Sequence, residues 1–403
     1  MRLWIAGLLA LACAGSEPQP PVLRVGTSGD YRPFSALGAD GARAGFDVEL
    51  VQRFARARGA RVEWVPVRWA ALHADFAAGC YDLVASGVTV RPERSLVGRF
   101  SVPTASAGAV ALVRGPVDLE RAGVRIAVNR GGHLERVTRR LFPHAQVLPT
   151  TPNEAVRAAL LAGKAEAAIT DTLEAPHWLA GTEGLATKGP FTRDWKAWWL
   201  PREARELARA IDAWLLAREA DGTLATLRAK HFASTVAPTA TPLSALAAAV
   251  EERLALMPLV AEAKRRSGAP VQVPAQEARV LDVAVAATRA AAREAARPAP
   301  DAAATRALFT ELIASARAVQ EATLAGAPAP GEPSDLAAVL RPALARISER
   351  IAWLLVRLPD DLADDEVASA FASLALPGVS DARRERIAAA VVELAGAPRT
   401  GSE

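Results

Sequence analysis

The spacing of apolar positions changes character once along this chain. Up to about residue 232, short apolar runs alternate with stretches of helical period. Residues 22–27, 61–67 and 81–88 read as strands, and 69–78 as a helix. Residues 45–58 read as a helix with Asp47 as N-cap and Gly59 just past its end. The alternation recurs as strand 124–128, a helix opened by Gly131-Gly132, strand 146–148, helix 153–161 and strand 167–170. A return strand over 194–201 and a helical stretch over 202–231, broken near Gly222, complete the pattern. Repeated βαβ order predicts an α/β protein with two lobes, 22–112 with 200–232 and 113–199, and a ligand cleft where strand ends meet helix N-termini. Residues 233–242, rich in Ala, Thr and Pro, predict a linker. Beyond it only helical period remains, over 243–267, 276–296, 302–324, 333–358 and 364–397, with Pro-rich breaks between some of them. The second unit, 243–397, is therefore all-α.

Composition narrows the picture in three ways. Net charge is +4, and no basic run is interleaved with aromatics, so a nucleic-acid partner is not expected. The first residues read as an export signal: Arg2, an apolar run from Leu3 to Ala12, and the small-x-small site Ala12-Cys13-Ala14. This assigns 1–14 to the signal, with an unstructured tail to about 21; a lipid anchor on Cys13 is the alternative. That run is too short to cross a bilayer, and no later segment is expected to span one. With Cys13 removed or acylated, Cys80 stands alone, and its place before an apolar run predicts burial rather than a disulfide.

The candidate chemistry begins at 167–178, where an apolar run ends in Thr170-Asp171 and a second carboxylate, Glu174, follows. Four blocks resemble the periplasmic family-3 solute-binding proteins: Thr27-Ser28-Gly29-Asp30-Tyr31-Arg32-Pro33-Phe34-Ser35, Ala44-Gly45-Phe46-Asp47, Gly87-Val88-Thr89-Val90-Arg91-Pro92-Glu93-Arg94 and Phe100-Ser101-Val102-Pro103. The resemblance covers about 22–232 and implies a two-lobed binding-protein fold in the periplasm. It also implies that Arg94 forks onto a ligand carboxylate, helped by Thr89, and that Asp171 anchors the ligand. A planar guanidinium suits such a carboxylate. The loop Asn129-Arg130-Gly131-Gly132-His133 offers backbone N–H groups at a helix start, with Gly132 and His133 at the ligand.

The opening block and Thr170-Asp171-x-x-Glu174-Ala175 further resemble one branch of that family, the cyclohexadienyl dehydratases. Membership implies conversion of prephenate, or arogenate, to phenylpyruvate or phenylalanine, with Glu174 as general acid. Aromatisation expels CO2 and a ring hydroxyl together, and a carboxylic acid makes that hydroxyl a leaving group. Such an acid must stay protonated near neutral pH, which an apolar site achieves. Tyr31, Trp69, Trp178 and Trp198 are candidates for its walls. His133 stands where a small hydroxyl residue is expected. It can contact a carboxylate, compete as proton donor, or face solvent.

The helical half resembles the secreted all-helical chorismate mutases, on Arg253-Leu254-Ala255-Leu256-Met257-Pro258-Leu259-Val260-Ala261-Glu262-Ala263-Lys264, Gln276-Glu277-Ala278-Arg279-Val280-Leu281 and Ala316-Arg317-Ala318-Val319-Gln320. On one continuous helix, Arg253 and Lys264 would share a face about 16 Å apart. The resemblance implies that Arg253 takes a carboxylate of chorismate and Lys264 reaches its ether oxygen. Gln320 would assist there, Glu277 beside Gln276 would fix a hydroxyl, and Arg350 would be a second carboxylate ligand. Val273 replaces an expected Asp. The rearrangement needs electrostatic stabilisation, not a nucleophile, and neither reaction requires a metal or cofactor. Two readings result. One is a bifunctional exported enzyme taking chorismate to prephenate and onward. The other is a transport-type amino-acid-binding protein with a fused, degenerate helical domain. A homodimer through the helical half is implied by family analogy.

Overall fold

The computed structural model describes residues 20–69, 71–233 and 236–399. The export signal expected at 1–14 lies outside the described residues.

The N-terminal unit holds two five-stranded sheets. In the first, Arg61–Pro66, Val22–Thr27 and Leu83–Val84 run parallel, and Trp199–Pro201 and Gly98–Phe100 complete it with antiparallel pairings. In the second the order is Gln146–Thr150, Arg125–Asn129, Ala167–Asp171, Ala109–Arg114 and Leu185–Lys188. The chain passes between the lobes on a two-stranded ribbon, Ala105–Ala107 against Asp194–Lys196. The crossing thus precedes residue 109, earlier than the boundary at 112 read from the sequence. The return strand expected over 194–201 is likewise two strands, one in the ribbon and one in the first sheet.

Several local expectations change for identifiable reasons. Asp47 does not cap its helix, Phe46–Ala57; Gly45 occupies that position. Asp47 is instead buried, accepting hydrogen bonds from the Gly87 N–H at 2.6 Å and the Trp198 indole at 3.1 Å. Burial raises its carboxyl to about 6. This contact pulls the chain off the sheet at Gly87, so the strand expected over 81–88 keeps only Leu83–Val84. Gly87 sits at φ +62°, and a Cβ there would lie 2.6 Å from Tyr31 and Phe34. Cys80 is exposed, contrary to expectation; it lies in the loop between the helix Leu72–Ala77 and Leu83–Val84, where nothing covers it.

In the helical unit, Pro242–Ala255 and Met257–Ser267 are separate helices rather than one, because Pro258 has no N–H for the carbonyl of Leu254. Pro274–Glu294, Ala302–Ala325, Arg341–Leu355, Asp364–Ala372 and Asp381–Gly396 pack around them. One apolar cluster runs without a break from Phe46, Phe54 and Trp198 of the first lobe to Leu246, Phe309 and Trp353 of the helices. The second lobe's sheet has clusters of its own, around Trp178 and around Ile126. The helices are therefore joined to one lobe and leave the other separately packed.

Polar contacts fix that joint. Arg346 donates to the carbonyls of Ser95 and Leu96, at 2.9 and 3.2 Å, closing the end of the short helix Pro92–Val97. Ser95 donates to Glu252 at 2.8 Å, and the Trp195 indole donates to Glu251 at 2.8 Å. Among the described residues no helix is long and apolar enough to cross a membrane.

Candidate functional site

Two cavities collect the residues singled out by sequence. The first lies between the lobes, with about 420 Å³ of open space. Tyr31, Trp69, Thr89, Arg94, Gly132, His133 and Glu174 all line it. Arg94 reaches it from the helix Pro92–Val97, where Pro92 occupies the first turn. Its side chain is buried. One nitrogen donates to the Thr89 carbonyl at 2.8 Å, while Nε has no hydrogen-bond partner. Trp69 and Trp199 face the guanidinium at 5.9 and 6.0 Å. Burial and the neighbouring Arg91 push its pKa down. A desolvated cation with an idle donor is a carboxylate site in waiting.

Glu174 ends the turn after strand Ala167–Asp171 and is only 2% exposed. Asn153 donates to Oε1 at 2.7 Å, and Thr170 pairs with Oε2 at 2.5 Å. Burial, then the charge of Asp171, raises its pKa well above the usual carboxylate range, although these two hydrogen bonds oppose the shift. Asn153 also bonds the Asp30 carbonyl, so its nitrogen faces both partners and can only donate. A proton on this carboxyl would therefore sit on Oε2, with the Thr170 hydroxyl turned to accept it.

His133 opens the helix His133–Leu141 and bonds Asp194 through Nε2 at 2.9 Å. Burial lowers its pKa, against the pull of Asp194. With Nε2 engaged by Asp194, only Nδ1 is left to face a ligand, and the lowered pKa disfavours the doubly protonated ring. In its loop the Gly131 N–H is taken by Glu135, at 2.7 Å, which fills part of the expected anion cradle.

Asp171 departs from expectation. It is fully buried and absent from the cavity wall. Tyr31 donates to it, Lys196 pairs with it at 3.0 Å, and the N–H groups of Leu173 and Glu174 bond its other oxygen. As a ligand anchor it is already spent. Trp198 is likewise no wall, since its ring lies in the core against Phe54 and its N–H on Asp47. Trp178 packs inside the second lobe. Sequence reasoning missed Lys196 and Asn153, both on the wall, and placed Asn129 there only as part of its loop. Lys196 gave one signal, a cation among Trp195, Ala197, Trp198 and Trp199.

The second cavity lies among the helices and is about 910 Å³ in open volume. Arg253, Lys264, Gln276, Glu277 and Gln320 line it, so the break at Leu256 does not separate Arg253 from Lys264. Arg253 is 6% exposed, with Nη1 unpartnered. Burial lowers its pKa to about 10. Lys264 donates to the Val271 carbonyl at 2.8 Å; burial, then Arg341, lowers its pKa. Gln320 donates to Ala316 and leaves Oε1 unpartnered, so a half-turn of the amide is needed to offer a donor instead. Arg350 is not in this cavity. It pairs with Glu252 and donates to the Phe100 carbonyl at 2.6 Å, at the joint with the first lobe. The additional cations on the wall are Arg317 and Arg341, which the sequence reading did not select.

Comparison with known proteins gives the following. Residues 23–234 match the profile of the bacterial extracellular solute-binding proteins, family 3. The chain is 33% identical over 234 residues to a cyclohexadienyl dehydratase of Pseudomonas aeruginosa, covering 54% of this chain and 85% of that protein. It is 29% identical over 222 residues to an L-cystine-binding protein of Escherichia coli, covering 53% and 84%. Among solved structures, an ancestral amino acid-binding protein, a precursor of cyclohexadienyl dehydratase, aligns with a TM-score of 0.50 and 30% identity, covering 52% of this chain and 95% of that one.

Proposed function

From a chain that belongs to the bacterial extracellular solute-binding proteins of family 3, we propose a periplasmic enzyme rather than a carrier: a prephenate dehydratase whose helical half is a chorismate mutase. The observation that carries the dehydratase is Glu174, a buried carboxyl with a raised pKa on the wall of a cleft that also holds Arg94. Arg94 binds one carboxylate of the substrate. Glu174 gives its Oε2 proton to the ring hydroxyl, which leaves as water. The electrons of the bond to the ring carboxylate complete the aromatic ring as CO2 departs. The spent Glu174 carboxylate regains a proton from solvent. The identity to a cyclohexadienyl dehydratase supports this reading.

In the helical cavity the reaction needs only charge. Arg253 with its idle nitrogen takes one carboxylate, and Arg341 or Arg317 the other in place of Arg350. Lys264 leaves Val271 to meet the ether oxygen as negative charge develops there. The product of this half is the substrate of the cleft. A second reading, amino-acid carriage, is favoured by the identity to an L-cystine-binding protein. Purified mature protein given chorismate separates them. Phenylpyruvate formation through transient prephenate is expected, whereas unchanged chorismate together with tight binding of an ordinary amino acid would select the carrier.

A further inference from the structure

His133 replaces the small hydroxyl residue expected after Gly131-Gly132, and the dehydration as written leaves it without a task. It lines the cleft with Nε2 on Asp194 at 2.9 Å, and Nδ1 has no hydrogen-bond partner among the described residues. Asp194 is ionised: its own burial is outweighed by His133, Lys196 and Thr192, and its pKa is lowered. A carboxylate only accepts, so Nε2 carries a proton and Nδ1 is the atom whose state is open.

The charges facing the ring come from several elements. Asp194 and Lys196 approach on the ribbon strand Asp194–Lys196, and Arg91 from the position before the Arg94 helix. Arg94 and Glu174 share the cavity wall. Glu135 and Arg136 follow on the ring's own helix, where Glu135 holds the Gly131 N–H and Arg136 pairs with Glu93. Lys196 is spent, since its three N–H groups meet Asp171, Tyr31 and Thr89. Arg91 has idle nitrogens but is not on the wall, so Arg94 is the one wall cation with an idle donor. A dianion brings one more negative charge than Arg94 neutralises. Burial keeps the ring's pKa low in the empty cleft, against the pull of Asp194. An anion set against Nδ1 adds to that pull, because an opposite charge at hydrogen-bond distance favours the charged form.

We propose that His133 is a proton-coupled ligand of the cleft: a dianionic substrate binds together with one proton from solvent, which Nδ1 takes up and donates to the carboxylate that Arg94 does not hold. Asp194 is the positioning residue behind it. By holding the Nε2 proton it leaves the incoming one only Nδ1. The proton returns to solvent when the ligand leaves. Binding has its full strength below the pKa of the free ring and loses it as pH rises through that of the complex. The choice of a dianion rests on the dehydratase reading, whereas proton uptake does not require turnover.

Calorimetry of prephenate binding to the full-length Glu174→Gln protein, in two buffers of different ionisation enthalpy at about pH 7.5, counts protons with Glu174 unable to titrate. Uptake of at least about half a proton per ligand is expected, with affinity falling as pH rises. His133→Ser in the same background should abolish the uptake and flatten the pH dependence. With Glu174 intact, His133→Ser should act on KM for prephenate, by about tenfold, rather than on kcat. No binding, binding without uptake, uptake that survives in His133→Ser, or a loss confined to kcat overturns the proposal. Surviving uptake would point to His73, which packs on Trp199 near Arg94. Where His133→Ser does not fold, the proton count in His73→Gln decides: retained uptake keeps the proposal and lost uptake ends it. Proton-coupled binding without turnover by the unsubstituted protein keeps the proposal and discards the dehydratase reading, and turnover without proton-coupled binding does the reverse.

Discussion

On the proposed reading, the two cavities meet different chemical problems with different building plans. The cleft is assembled from both lobes, with Arg94 and Tyr31 on one side and His133, Asn153 and Glu174 on the other. Its central group is an acid whose pKa burial raises. The helical cavity lies within one packed layer and contains cations in excess, with Glu277 as its lone carboxylate on the wall. A proton donor must be dry, and dryness comes from closing two bodies on each other. A rearrangement that only redistributes charge can run on side chains fixed to rigid helices.

Four measurements would separate the two cavities. Glu174→Gln has the largest expected effect: dehydration of prephenate should fall by roughly a thousandfold, with chorismate consumption unchanged. Near-normal dehydration would remove Glu174 from the chemistry. Arg253→Ala should slow chorismate consumption by about a hundredfold or more while sparing dehydration of supplied prephenate, and a loss in both assays would show the sites to be one functional unit. The pH profile comes third. Dehydration requires protonated Glu174, whose pKa is raised, so the rate should be flat at low pH and fall about tenfold per unit above that pKa. Chorismate consumption should lack this limb in the same range; a shared limb would mean that another group is being titrated. Smallest is Arg346→Ala, which removes the cap on the Arg94 helix. It should cost about 1–2 kcal/mol in denaturant unfolding, and an unchanged midpoint would show that this cap adds nothing to the joint.

The cleft was legible where a motif placed a residue and illegible where closure did. Arg94 and Glu174 sit beside turns whose residues announce them. Asn153 reaches Glu174 across 21 positions within the second lobe and Asp30 across the cleft, and no local pattern encodes either meeting. Lys196 and Asp171 neutralise each other across 25 positions of sequence, a pairing that spacing cannot express. Arg350 illustrates the opposite failure. Nine residues at about 100° each put it half a turn away from Arg341, on the face that meets the first lobe. Helical period predicts two faces for Arg341–Leu355 but not which one looks into a cavity. The change from α/β to all-α near residue 242 was plain, because strand and helix periods differ whatever the tertiary contacts.

One feature of Glu174 bears on timing. Asn153 touches it from the same lobe, yet is itself held to Asp30 of the other lobe by two hydrogen bonds, of 3.3 and 3.2 Å. Parting the lobes therefore undoes the acid's surroundings as well as releasing product. On the proposed dehydratase reading, water then reaches the spent carboxylate, and reclosure traps the proton it has gathered. Opening is in this sense the reloading stroke of the cycle. A variant locked shut would turn over once and stop, filled with product and out of protons.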